Sequence, residues 1–189
     1  MSLLVSAGLP QRLLMSELEF WSEDHRFGLQ IAKKTMSYIL KMCAVSKAYE
    51  TGGILVGFYT TAHDCAVVTA ASKAPSDSQS GRTRFMRGVR GLQRWLEYLW
   101  HRRHHYYLGE WHFHPYGLPY PSQTDIEQMS RIADAVHYGC PEPILLIVGG
   151  NPTAKWDVKV YVCPRGECPV ELVRSNETPS SQPGEYSPT

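Results

Sequence analysis

A chain of 189 residues, 43% hydrophobic and 20% charged, is long enough for one domain with a substantial core and too short for two typical ones. Its net charge of +1 gives no overall pull toward nucleic acid or an anionic membrane, so partners must be read from local features. No run of about 18 apolar residues occurs, which argues against a membrane-spanning helix.

In chain order, Met1 to Leu14 is mildly apolar but lacks a basic start and is interrupted by Gly8-Leu9-Pro10. It is read as an N-terminal arm rather than a signal peptide. Residues 18–30 mix aromatic and polar side chains around Phe20, Trp21 and Phe27, in a strand-like pattern. Ala32, Met36, Ile39, Leu40 and Cys43 then recur at helical spacing, which predicts an amphipathic helix over about 29–46 lying against a sheet. The run Glu50-Thr51-Gly52-Gly53-Ile54-Leu55-Val56-Gly57 predicts a buried strand whose glycines permit close backbone approach, with an acid at its mouth.

Residues 64–71 read as a neighbouring strand, and 75–84 as a long polar loop of the kind that often carries function. A second helix is predicted over 88–103, with Val89, Leu92, Trp95, Leu96 and Leu99 inward and Arg87, Arg90, Arg94, Glu97 and His101 outward. Together with Arg82, Arg84, Arg102 and Arg103 the outward residues form a basic stripe. It is either a solvated helix face or a contact surface for nucleic acid or an acidic protein.

Residues 106–114 form the next strand, with Leu108, Glu110, His112 and His114 expected on one face and Tyr107, Gly109, Trp111 and Phe113 on the other. A third helix is expected over 122–137, with Ile126, Met129, Ala133 and Val136 inward. Strands over 143–148 and 155–163 follow, joined by a turn at Asn151-Pro152. Residues 169–173 add an edge strand, and the Ser/Pro/Glu/Gln-rich residues 174–189 read as a disordered tail. The alternation predicts an α/β fold: one domain over 1–173, a single mixed β-sheet with helices on its faces.

The chemistry concentrates in His112-Phe113-His114-Pro115 and Pro121-Ser122-Gln123-Thr124-Asp125. Two imidazoles two residues apart on a strand point to the same side. Asp125, eleven residues beyond His114, follows a Pro- and Gly-containing loop able to bring a carboxylate back over the strand end. Ligands of types N, N and O leave one position open on a tetrahedral zinc ion, as in hydrolytic rather than structural sites. At this chain's composition the combined pattern would arise by chance on the order of once per ten thousand such chains, although each part alone is weak. The alternative is structural: Ser122 caps a helix, Asp125 completes a capping box, and the histidines merely pack.

Strand alternation nominates Glu110, on the histidine face, as the nearby carboxylate. Five scattered cysteines (Cys43, Cys65, Cys140, Cys163, Cys168) without C-x-x-C spacing suit a reducing, cytoplasmic compartment. Cys163 and Cys168 could bridge or hold a second metal, or be free thiols. The helical H-E-x-x-H of other metalloproteases and the H-x-E with P-C-x-x-C of nucleobase deaminases are both absent.

Glu50-Thr-Gly-Gly, His112-x-His114, seven residues, then Ser122-x-x-Asp125 resembles the JAMM motif of the JAB/MPN metalloproteases. Gly109-Glu-Trp-His, Ser80-Gly-Arg-Thr-Arg-Phe and Pro119-Tyr-Pro-Ser resemble its prokaryotic JAB branch, over residues 18–163. The resemblance implies a cytidine-deaminase-like sandwich fold and one Zn2+ per chain held by His112, His114 and Asp125. It further implies Glu50 as general base toward a zinc-bound water and Ser122 assisting the transition state, with Glu110 left as a partner orienting a ligand histidine. The expected activity is that of a deubiquitinase-like isopeptidase acting on a conjugate of a ubiquitin-like modifier. Similar bacterial proteins occur in antiphage (CBASS-type) operons beside activating and conjugating enzymes. Phe113 stands where that family usually has Ser or Thr; facing away from the metal, it leaves ligation intact. An inactive scaffold of the same fold and a nucleic-acid-associated protein using the Arg82 to Arg103 surface are the alternatives.

Overall fold

An aromatic-rich hairpin opens the fold: β1 (Glu17–Trp21) and β2 (Gly28–Ala32) pair antiparallel and lead directly into α1 (Lys33–Ser46). The computed structural model describes residues 17–175, so the expectations for Met1 to Leu14 and for the tail beyond Ser175 lie outside the described residues. Residues 29–32, predicted as the first turn of α1, are strand instead. The backbone of Leu29, Gln30 and Ile31 is taken by β1 on one side and by a parallel strand on the other. The helical stripe is otherwise as expected, with Met36, Ile39 and Cys43 buried.

The chain continues through β3 (Thr51–Tyr59), β4 (Cys65–Ala71), the short hairpin β5 (Gln79–Ser80) and β6 (Phe85–Met86), and α2 (Leu92–Arg103). After β7 (Tyr106–Pro115) and α3 (Gln123–Asp134) come β8 (Ile144–Gly150), β9 (Trp156–Val162) and β10 (Val170–Arg174). The mixed α/β character is as expected, but the single open sheet is not. Eight strands close into a barrel in the order β1-β10-β9-β8-β7-β3-β4-β2. β10, expected at an edge, pairs β9 on one side and β1 on the other. This pairing removes both sheet edges, which would otherwise expose unpaired backbone groups.

Period-two alternation divides the core. Leu55, Leu146, Val148 and Val160 join α1 in one cluster, to which all eight barrel strands contribute. Ile54, Val56, Leu145 and Ile147 point the other way, toward Leu99 of α2 and Met129 and Ile132 of α3. Val136, expected inward at the end of the third helix, is 88% exposed, because α3 stops at Asp134 and a 3-10 turn over Val136–Tyr138 redirects the chain.

One irregularity sets the geometry of β7. The β3–β7 register slips so that Leu55 faces Gly109 while Val56 faces Tyr107. Gly109 has φ +152°, and a Cβ there would lie 2.0 Å from the Ile144 carbonyl oxygen, so only glycine fits this bulge. The bulge corrects the expected alternation: Leu108 packs with Trp111 and Phe113, not on the face of Glu110 and His112. Tyr107 crosses to that face instead, its hydroxyl 3.4 Å from Glu110 Oε1.

Candidate metal centre

β7 and the start of α3 bring the ligand candidates together. One atom from each of His112, His114 and Asp125 lies within 4.8 Å of the others. His112 Nδ1 is 2.8 Å from Asp125 Oδ1, and His114 Nε2 is 3.8 Å from Asp125 Oδ2. Donors at about 2.0–2.2 Å around a tetrahedral ion sit roughly 3.3–3.5 Å apart, between these two spacings. The donor set can therefore hold a metal ion with small side-chain adjustments.

The capping alternative is also real, and it serves the same geometry. Ser122 Oγ accepts from the Asp125 amide at 3.2 Å, while Asp125 Oδ2 accepts from the Ser122 amide at 2.8 Å and from its hydroxyl at 2.7 Å. This capping box fixes the carboxylate that faces the histidines. His114 is steadied by its Nδ1, 3.3 Å from the Leu118 carbonyl.

Burial opposes charge on the His112 ring, but Asp125 and Glu110 outweigh it and push its pKa up to about 9. The Asp125 carboxyl is disfavoured as an anion by burial and nevertheless held well below the usual range by His112 and Ser122. A cation entering here displaces the His112 proton, so its binding is coupled to proton release.

Glu50 precedes β3, whose Thr51 faces Phe113 and whose Gly52 faces His112. The register continues Glu50 toward His114, and both line an open cleft of about 930 Å³ with Ser122 and Asp125. The Glu50 amide donates to the Gly81 carbonyl at 2.8 Å, tying it to the β5–β6 hairpin. Burial, helped by Asp125, raises the Glu50 pKa, while His114 and His112 pull it down. Gly52 explains the small residue in this motif. A Cβ there would sit 2.5 Å from the Trp111 carbonyl oxygen, 2.8 Å from Phe85 Cε1 and 3.0 Å from His112 Cδ2.

Glu110 is in a different position. It is 0% exposed and accepts from Arg87 Nε at 2.9 Å and Nη2 at 2.7 Å, and from Gln128 Nε2 at 2.9 Å. Its Oε2 lies 3.7 Å from His112 Nε2, a charge contact too long for a hydrogen bond. Burial pushes the Glu110 carboxyl up, but His112 and Arg87 outweigh it and hold it lowered.

Arg87, expected on the outward face of the second helix, is thus a correction: its side chain is 7% exposed. α2 starts only at Leu92, and Arg87 directly follows β6, where it pairs inward. Val89, expected inward, is 66% exposed for the same reason. The basic stripe loses its buried member. Phe85, whose ring meets His112 edge-on at 5.7 Å between centroids, entered the sequence reading only as the last residue of Ser80-Gly-Arg-Thr-Arg-Phe, with no role beside a histidine. Gln128, on α3, carried no signal in the sequence.

All five cysteines are free. Burial pushes Cys163 up to about 12, and Cys168 is exposed and unpaired with it.

Residues 32–159 match the family described as prokaryotic homologs of the JAB domain. The chain belongs to the prokaryotic JAB family. Within it, this JAB protein is similar to a "CD-NTase/cGAS isopeptidase" of Enterobacter hormaechei subsp. hoffmannii (strain UCI 50). The two are 38% identical over 169 residues, which are 89% of this chain and 93% of the relative. Its fold is also similar to the solution structure of protein DSY2949 from Desulfitobacterium hafniense. The TM-score is 0.55 at 20% identity, over 77% of this JAB chain and 88% of the other; at that identity the likeness concerns the fold alone. Among the described residues no helix is long and apolar enough to cross a membrane.

Proposed function

We propose that this JAB protein is a zinc-dependent isopeptidase that hydrolyses the amide bond joining a ubiquitin-like modifier, or another C-terminally conjugated protein, to its target. The observation that carries this reading is the meeting of His112, His114 and Asp125 donors within 4.8 Å at a cleft that Glu50 also lines. The donor set fits zinc: two imidazoles and one carboxylate are the ligand types of catalytic zinc sites that keep a position open. When bound, zinc supplies Lewis acidity, polarising a carbonyl and lowering the pKa of a water from 15.7 to about 7.

The remaining work falls to side chains of this chain. Glu50 takes the proton of the attacking water and delivers it to the departing lysine amine. Burial raises its pKa above that of a free glutamate, a direction that favours a carboxylate which must both accept and release a proton. Ser122, whose hydroxyl orients Asp125 at 2.7 Å, can turn to donate to the oxygen that gains charge on the carbonyl, an interaction worth about 3 kcal/mol. Glu110, closed off from solvent, acts on the His112 ring rather than on substrate.

The relative's name directs the substrate class toward a conjugated CD-NTase or cGAS-like protein. The enzymes that activate and conjugate the modifier are then the associated partners, in antiviral defence. A reducing cytoplasm suits the five free thiols.

The test is metal removal on a defined probe: a modifier-like peptide joined through its C-terminus to the ε-amine of a fluorescent lysine peptide. Protein carrying one equivalent of zinc is expected to release the lysine peptide. Chelation is expected to stop release, and added zinc to restore it. Cleavage that persists in a fully chelated sample contradicts the zinc mechanism.

A further inference from the structure

Two residues beyond Phe85 the chain turns inward and buries an arginine side chain against Glu110. Arg87 Nε and Nη2 both donate to Glu110 Oε1, at 2.9 and 2.7 Å. Its Nη1 donates to the Gly88 carbonyl at 2.9 Å, and Nη2 also reaches the Tyr138 hydroxyl at 3.3 Å. The second Glu110 oxygen accepts from Gln128 of α3 and faces His112 Nε2.

The His112 ring needs such support. Nδ1 is turned toward Asp125 and the ligand cluster, so Nε2 is the ring's other polar handle. That atom is buried without a hydrogen-bond partner, its only charged neighbour being Glu110 Oε2 at 3.7 Å among the described contacts. The ring's flank meets Phe85 edge-on. Phe85 stands on β6, and the base of the β5–β6 hairpin is tied by Gly88 N donating to Ser78 Oγ at 2.9 Å and by Asp77 accepting from the Val89 and Arg90 amides at 3.0 Å. One guanidinium therefore anchors both the carboxylate behind His112 and the hairpin whose aromatic ring lies beside it.

We propose that Arg87 is a positioning residue of the metal centre, fixing the His112 ring through Glu110 and through the hairpin that carries Phe85. This rests on the metal reading above. A lysine cannot replace the fork: it has one nitrogen where the guanidinium presents three in a plane, and the contacts here run in three directions. Glu110, in turn, cannot be left alone, since a buried carboxylate without its cation is strongly unfavourable.

The experiment measures zinc affinity by chelator competition, and separately the thermal unfolding of the metal-free protein. The variants are Arg87→Lys, the charge-free pair Arg87→Met with Glu110→Gln, and the exposed control Arg90→Lys. Arg87→Lys and the pair are expected to bind zinc about 10–100-fold more weakly, the usual effect of losing support behind a ligand, with Arg90→Lys unchanged. Zinc affinity within twofold of wild type in either folded variant, whatever its melting temperature, makes Arg87 a pillar of the fold only and overturns the proposal. So does failure of both variants to fold. Wild-type protein that binds no zinc is a separate result: it overturns the metal reading itself and this inference with it.

Discussion

Glu50→Gln is expected to lower the rate of isopeptide cleavage by about 10²–10⁴-fold while leaving zinc content and fold unchanged. Glutamine keeps the volume and the hydrogen-bonding reach of glutamate but cannot accept a proton from water at neutral pH. Glu50 is not among the three clustered ligands, so the ion has no reason to leave. Its structural tie runs through the backbone, from its amide to the Gly81 carbonyl at 2.8 Å, and any side chain preserves it. The competing carboxylate, Glu110, is 0% exposed and already accepts from Arg87 and Gln128; a water molecule would have to displace those donors to reach it. Steady-state kinetics together with metal analysis check the outcome. Unimpaired turnover by Glu50→Gln would remove this residue from the mechanism.

Asp125→Ala is expected to lose both zinc and cleavage, and to be less stable than wild type even without metal. The side chain does three things at once. It is the only carboxylate in the ligand cluster, it closes the capping box at the start of α3, and it accepts from His112 Nδ1 at 2.8 Å. Loss of a helix cap costs about 1 kcal/mol, and a buried ring nitrogen left without its partner about 1–3 kcal/mol more. Asp125→Asn separates these effects. Its single oxygen still accepts from the Ser122 amide, and its NH2 can donate to the Nδ1 of a neutral His112 ring where Asp125 Oδ1 stood, so much of the metal-free stability should remain, while the loss of charge still weakens zinc binding. Metal analysis and urea unfolding of the two variants side by side measure this. Full zinc binding by Asp125→Ala would mean that the cluster is not the metal site.

The meeting of His112, His114 and Asp125 was legible because its spacing is dictated by covalent geometry. Side chains two apart on a strand share a face, and the loop from Pro115 to Pro121 returns the chain to that face at a helix start marked by its own cap residue. Glu50 was nominated only through family resemblance, because strand alternation favoured Glu110. What separates the two carboxylates is burial by Arg87, Gln128 and Tyr107, which come from three separate stretches of the chain.

Arg87 itself was misread because Arg87, Arg90 and Arg94 stand at helical spacing, and periodicity cannot report that the helix begins at Leu92. Leu108 was assigned to the wrong face because a bulge at a glycine reverses alternation without leaving an apolar signal. Barrel closure was invisible for a related reason. β10 has the composition of an edge strand, with Glu171, Val173 and Arg174 partly or wholly exposed, and its second partner, β1, lies about 150 residues earlier in the chain.

A zinc-edge anomalous difference map from crystals grown with zinc tests most directly whether a three-ligand ion faces Glu50. The expected map has one strong peak per chain, about 2.0–2.2 Å from His112, His114 and Asp125, with the Glu50 carboxylate turned toward it. A map with no peak between those three side chains, or with the zinc held by other residues, would contradict that arrangement.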